Sequence, residues 1–162
     1  MLKAVQGEVS FFSQAPLEDI YAVSHQVNSF INMSTGEIVF IIPMRSFDFA
    51  KDLMEEHFNE KYIESDKYPN ATYKGKIEGD IDYAVAGTYP LASSGEMSIH
   101  GKEKAISENG TIRVTQDTVF LNTKFRLAIA DYDIAIPKLL IKNIADTVEV
   151  TMNASYLPYI KE

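Results

Sequence analysis

Val119-Phe120-Leu121-Asn122-Thr123-Lys124-Phe125-Arg126-Leu127-Ala128-Ile129 places Val119, Leu121, Phe125, Leu127 and Ile129 on one side of an extended chain, with Asn122, Lys124 and Arg126 on the other. Successive side chains of a strand point to opposite faces, so this stretch reads as a strand with one buried and one wet surface. The same period of two recurs about eight times. Val5, Val9 and Phe11 share a face with Gly7, until Ala15-Pro16 interrupts the ladder. Residues 18–24 form a second strand, continued or bent through residues 25–32, and Ser34-Thr35-Gly36 turns the chain into the apolar run 37–42. Ala71, Tyr73, Gly75 and Ile77 alternate with Thr72, Lys74, Lys76 and Glu78. Residues 83–91, 97–106 and 111–115 are expected as separate segments, divided by Ser93-Ser94-Gly95 and by a hairpin turn at Asn109-Gly110. Val148, Val150, Met152 and Ala154 make a last strand before Pro158.

Composition agrees. There are 27 isoleucines and valines against 9 leucines, and β-branched side chains suit a pleated surface better than a helix. The period changes once, after Pro43: Ala50, Leu53, Met54, His57 and Phe58 recur at helical spacing, predicting one α-helix over about 48–58. Ser46 or Asp48 is its expected cap and Asn59 its stop. Pro137 can open a short helical turn near 137–143. Because no helix separates successive strands, the sheet is expected to be antiparallel. The whole chain, 1–162, reads as one all-β domain whose greasy faces are buried either between two sheets or inside a closed barrel. A barrel of about eight strands is either filled by its own side chains or just wide enough for one small ligand. Pattern alone leaves both open.

Several function classes drop out. The chain has no cysteine, which removes disulfides, thiolate metal sites and cysteine nucleophiles. A net charge of −8 opposes phosphate backbones, so nucleic acid is not an expected partner. The longest apolar run, Ile38 to Ile42, is far below the roughly 20 residues of a transmembrane helix, and no transmembrane segment is expected. The opening residues 1–7 lack the apolar region of a secretory signal. His25, His57 and His100 show no paired metal-ligand spacing, and no metal or other cofactor is expected. His57 is read as a structural hydrogen-bond donor on the apolar side of the helix, and His100 as a solvated or hydrogen-bonded imidazole. The acidic group Glu55, Glu56, Glu60, Glu64 and Asp66 could supply an acid and a base, but carboxylates on a helix and a surface loop are ordinarily just solvated.

Two motifs carry a resemblance. Residues 46–73 include Ser46-Phe47, Glu56-His57-Phe58 and Lys67-Tyr68-Pro69-Asn70-Ala71-Thr72-Tyr73, and Gly95-Glu96-Met97-Ser98-Ile99-His100-Gly101 follows. Together, with weaker support from Asp131 to Pro137, they resemble the YceI-like family. Phe58 stands where that family commonly has Leu, Tyr73 where it has Phe, and Lys102 where an apolar residue often follows the glycine. The resemblance implies a lipocalin-like antiparallel barrel that holds a long-chain amphiphile, a polyisoprenoid, isoprenoid quinone or similar lipid, in a protein exported to the bacterial periplasm. On that reading the chain is a non-enzymatic binding or carrier protein. Phe11, Phe30, Phe40, Ile42, Tyr73, Ile77, Met97, Ile99, Phe125, Leu127 and Ile129 are the residues expected to line its tube, with Tyr62 or Tyr68 near the ligand's polar head. Two rival expectations stand beside it. One is an enzyme acting on a lipid-like substrate through His57, His100 or Glu55 and Glu56, and the other a filled barrel serving as an interaction module. A homodimer is compatible with either.

Overall fold

The computed structural model of the chain describes residues 1–13, 20–134 and 147–158. Ten strands follow one another: β1 (Leu2–Ser13), β2 (Ile20–Ser24), β3 (Asn28–Ile31), β4 (Glu37–Pro43), β5 (Asp48–Phe49), β6 (Asn70–Glu78), β7 (Gly87–Ile99), β8 (Lys102–Val114), β9 (Val119–Ala128) and β10 (Thr147–Pro158). Helix α1 (Asp52–His57) runs into a π-helical turn (Phe58–Tyr62), and short 3-10 turns cover Met44–Ser46 and Ile129–Tyr132. Every pairing among these strands is antiparallel, as expected.

The sheet closes on itself. One edge of β1 pairs with β10 from Leu2↔Pro158 to Phe12↔Glu149, while its other edge takes β2 at Val9–Ser13 and β3 at Leu2 and Lys3. β2 and β3 thus act as one strand broken at residues 25–27, and the order β1-β10-β9-β8-β7-β6-β4-β3 makes a closed eight-stranded barrel. Side chains of β9 alternate as the sequence pattern requires. Val119, Leu121, Thr123 and Phe125 are buried and Asn122, Lys124 and Arg126 exposed. Val5, expected to share a face with Val9 and Phe11, is instead exposed where the register of β1 shifts between Ala4 and Gln6.

Four further local expectations need correction. The helix begins at Asp52 rather than 48, because Asp48 and Phe49 are drawn into β5 against Val23 and Ala22. Lys51 takes the N-terminal capping position without a side-chain capping bond, and Ser46 instead holds Ser24 Oγ and the Pro43 carbonyl, each at 2.5 Å. Asn59 lies within the π turn, and the left-handed residue that follows is Glu64, at φ 54°. The divisions at 93–95 and 108–110 do not exist: β7 and β8 run unbroken and pair residue for residue from Gly87↔Val114 to Ile99↔Lys102. Their hairpin turns at His100 and Gly101, at φ 55° and 74°, both in the left-handed region. Gly110 serves another purpose, since a Cβ there would collide with the Asn122 carbonyl oxygen of β9. Both the break at Ala15-Pro16 and the helical turn near 137–143 lie outside the described residues.

The barrel end away from α1 is solid. Ile31, Ile112 and Tyr156 are fully buried there, and the Tyr156 hydroxyl bonds Ser29 Oγ at 2.7 Å inside the wall. Removing one partner leaves the other desolvated and unpaired. Tyr156→Phe should therefore cost about 1–3 kcal/mol in urea unfolding, and adding Ser29→Ala should recover part of the loss.

Candidate ligand cavity

The α1 end of the barrel is hollow. A cavity of about 160 Å³ lies there, walled entirely by apolar atoms and enclosed by β1, β4, β7, β9, β10, α1 and the turns beside it. An apolar lining of this kind accepts apolar guests. A second space of about 40 Å³ lies deeper in the barrel. Met97, Phe125 and Met152 face both, so they form the partition between the two.

Most residues expected to line the tube face these spaces. Phe11, Ile42, Met97, Ile99, Phe125, Leu127 and Ile129 border the larger cavity, and Phe40 and Tyr73 join Met97 and Phe125 around the deeper one. Ile77 is buried in the core but borders neither. Phe30 lies on the outer face with Lys3 over its ring, because Ser29 and Ile31 take the inward positions of β3. Ile129 begins a 3-10 turn rather than ending a strand, yet still faces inward.

Period-two reading misses the residues that roof the cavity. Phe47, Phe49 and Phe58 gather around Phe11 at ring separations of 5.1, 5.8 and 5.4 Å, in tilted, edge-on and stacked geometries. Met44, Met54, Tyr62, Ile63 and Tyr132 complete the wall from turns and helix. The alternation Phe47, Phe49 and the helical spacing Met54, Phe58 were the available signals. Ser13 Oγ, at the end of β1, is buried beside this cavity without a hydrogen-bond partner among the described residues.

The rim is polar and tightly tied. His100 Nδ1 faces the Tyr132 carbonyl at 3.0 Å and Nε2 faces Glu64 Oε2 at 2.8 Å. Both partners are acceptors, so the imidazolium form satisfies both nitrogens. Tyr68 packs edge-on against this ring at 4.8 Å, and Lys102 pairs with Asp133 at 3.2 Å. The hydrogen bond from His100 holds the Glu64 carboxyl below its ordinary range, with Lys67 at 3.6 Å assisting against partial desolvation. The other acids do not converge with Glu64: Glu55 accepts from the Phe49 backbone N–H, and Asp66 pairs with Arg45. His57 is half-buried and makes no hydrogen bond among the described residues, contrary to its expected role. No histidine among the described residues borders either cavity. No cluster of metal-ligating side chains occurs among them, and none of their helices is long and apolar enough to cross a membrane.

The family model for the YceI-like domain matches residues 2–156. No curated protein sequence matches the chain. Among solved structures, a polyisoprenoid binding domain from Saccharophagus degradans, implicated in plant cell wall breakdown, superposes with a TM-score of 0.82 over 98% of each chain at 16% identity. Burkholderia cenocepacia BcnA matches with a TM-score of 0.78 at 15% identity, over 92% of this chain and 95% of its own. A Campylobacter jejuni YceI protein matches at 0.66 and 14% identity, over 83% and 81%. At these identities the structural likeness is one of fold.

A carboxylate whose folded-state pKa is depressed stabilises the fold above its unfolded value, and that contribution is lost as pH falls through the folded one. Wild type should therefore exceed Glu64→Gln in urea midpoint near neutral pH, with the difference closing as pH falls below the ordinary carboxylate range and Glu64 is protonated. Equal midpoints at neutral and at acid pH would contradict the role given to Glu64.

Proposed function

This chain belongs to the YceI-like family, and on that premise we propose that it binds one long apolar chain, of polyisoprenoid or isoprenoid-quinone type, inside the hollow half of the barrel and performs no chemical step on it. The carrying observation is the apolar cavity of about 160 Å³ between Phe11, Ile42, Ile99, Leu127, Ile129 and Met152. Burial there supplies affinity at about 25 cal/mol per Å² of apolar surface, less the cost of ordering a flexible tail. Aromatic and branched walls, with methionine thioethers between them, adapt to a chain that carries methyl branches.

Support also comes from the Saccharophagus degradans domain of the same fold, which is described as polyisoprenoid binding. The same proposal includes export to the bacterial periplasm, which rests on family membership. It does not need the rival enzymatic reading, since the rim pair His100 and Glu64 is held by mutual bonds rather than aimed at the cavity, and no histidine borders the cavity among the described residues.

Purified protein extracted with organic solvent and examined by mass spectrometry should release an apolar amphiphile. Added isoprenoid at about a hundred times its Kd should raise unfolding stability by about 2.7 kcal/mol. Ile129→Asp, which puts a carboxylate on the apolar wall, should weaken loading more than about 100-fold while circular dichroism reports an intact barrel. An empty extract together with no stabilisation by any isoprenoid would overturn the carrier reading.

A further inference from the structure

The deeper chamber differs from the outer cavity in chemistry. Its wall of Ile38, Phe40, Leu91, Ile106 and Leu121 is interrupted by Tyr73, Ser93, Thr123 and Glu108. Three of those four polar groups are already engaged. The Tyr73 hydroxyl and Ser93 Oγ bond each other at 2.6 Å, and Thr123 Oγ1 donates to the Asn109 carbonyl at 2.8 Å. Glu108 is the exception. It lies on the inward face of β8, directly across the ladder from Ser93, and no hydrogen bond or ion pair reaches its carboxyl among the described residues. Partial burial pushes its carboxyl up from the ordinary range; the phenols of Tyr73 and Tyr132 are raised chiefly by their own desolvation, with Glu108 adding a smaller contribution. Glu108 is half-buried, and among the described residues it is the one polar side chain of the chamber wall whose acceptor oxygens no protein donor occupies, which leaves them open to a ligand.

Resting on the carrier reading, we propose that this chamber receives the polar end of the ligand and selects an uncharged hydroxyl, which donates to Glu108, against an anionic end of the same chain. The apolar body then occupies the outer cavity, and the chain enters hydroxyl first past Met97 and Met152, whose unbranched side chains can rotate out of its path. This orientation reverses the expectation that Tyr62 or Tyr68 at the rim holds the head. A carboxylate or phosphate could share the chamber with Glu108 only if one of the two acids took up a proton, which costs affinity at neutral pH. A hydroxyl has no such cost, and it can also accept from the Tyr73 and Ser93 pair.

The test uses a matched pair of isoprenoids, farnesol and farnesoate, titrated at neutral pH into delipidated wild type, Glu108→Gln and Glu108→Leu. Tryptophan is absent from the chain, so binding is followed by calorimetry. Wild type should bind farnesol at least tenfold more tightly than farnesoate. Glu108→Gln, which keeps an acceptor but no charge, should bind farnesoate at least tenfold better than wild type and farnesol within threefold of it. Glu108→Leu should lose about tenfold for farnesol. If wild type binds both equally, or its preference is unchanged in Glu108→Gln, the inference is overturned while the carrier reading stands. Binding of neither isoprenoid to wild type overturns both.

Discussion

β1 is paired along both edges, to β10 on one side and to β2 and β3 on the other, and that double pairing converts a long antiparallel sheet into a tube. A closed ladder leaves no free edge among its eight strands, and it forces every inward face towards a common axis. Once that is so, the interior is decided by side-chain bulk. Where Ile31, Ile112, Val114, Val119 and Tyr156 are buried, the tube is plugged. Towards α1 the strands end, their inward residues become too few to meet, and turns and a short helix roof the remaining space instead of filling it.

That roof is costly to build, and the cost is visible in the backbone. Among the described residues, three non-glycine residues take left-handed φ, and all three, Glu64, His100 and Asp133, lie together at the rim. Each such residue carries strain on the order of 1–3 kcal/mol, which persists only where neighbours over-determine it. Here the determinants are the bonds of His100 to Glu64 and to the Tyr132 carbonyl, with Lys102 holding Asp133. They join the end of the π turn, the β7–β8 hairpin and the turn after β9 into one frame around the cavity mouth.

Strand faces were legible because period two is a one-dimensional signal: Val119, Leu121 and Phe125 announce their side without any knowledge of neighbours. The nine tube residues that border a cavity follow from it. Turn placement was not legible in the same way. Asn109-Gly110 has the composition of a tight turn, yet its glycine answers to the approach of Asn122 from another strand, a tertiary contact that local composition cannot carry. The true turn, His100-Gly101, hid behind a histidine that accepts left-handed φ because two acceptors hold its ring. Phe30 shows the complementary failure: the break between β2 and β3 resets the alternation, and the bulkiest residue of β3 faces outward. The roof residues Phe47, Phe49 and Phe58 belong to no strand of the barrel wall, so a reading built on strands had no place for them. Family resemblance, by contrast, rests on motifs as strings and is indifferent to which face each residue takes.

The pairing of β1 with β10 has a temporal side. During synthesis the first strand leaves the ribosome long before its main partner exists, and the seam of the tube can be stitched only when the tenth strand emerges. Until then the growing chain displays raw ladder edges at both ends of an unfinished sheet, so a holding factor or a slow, late closure is built into the topology.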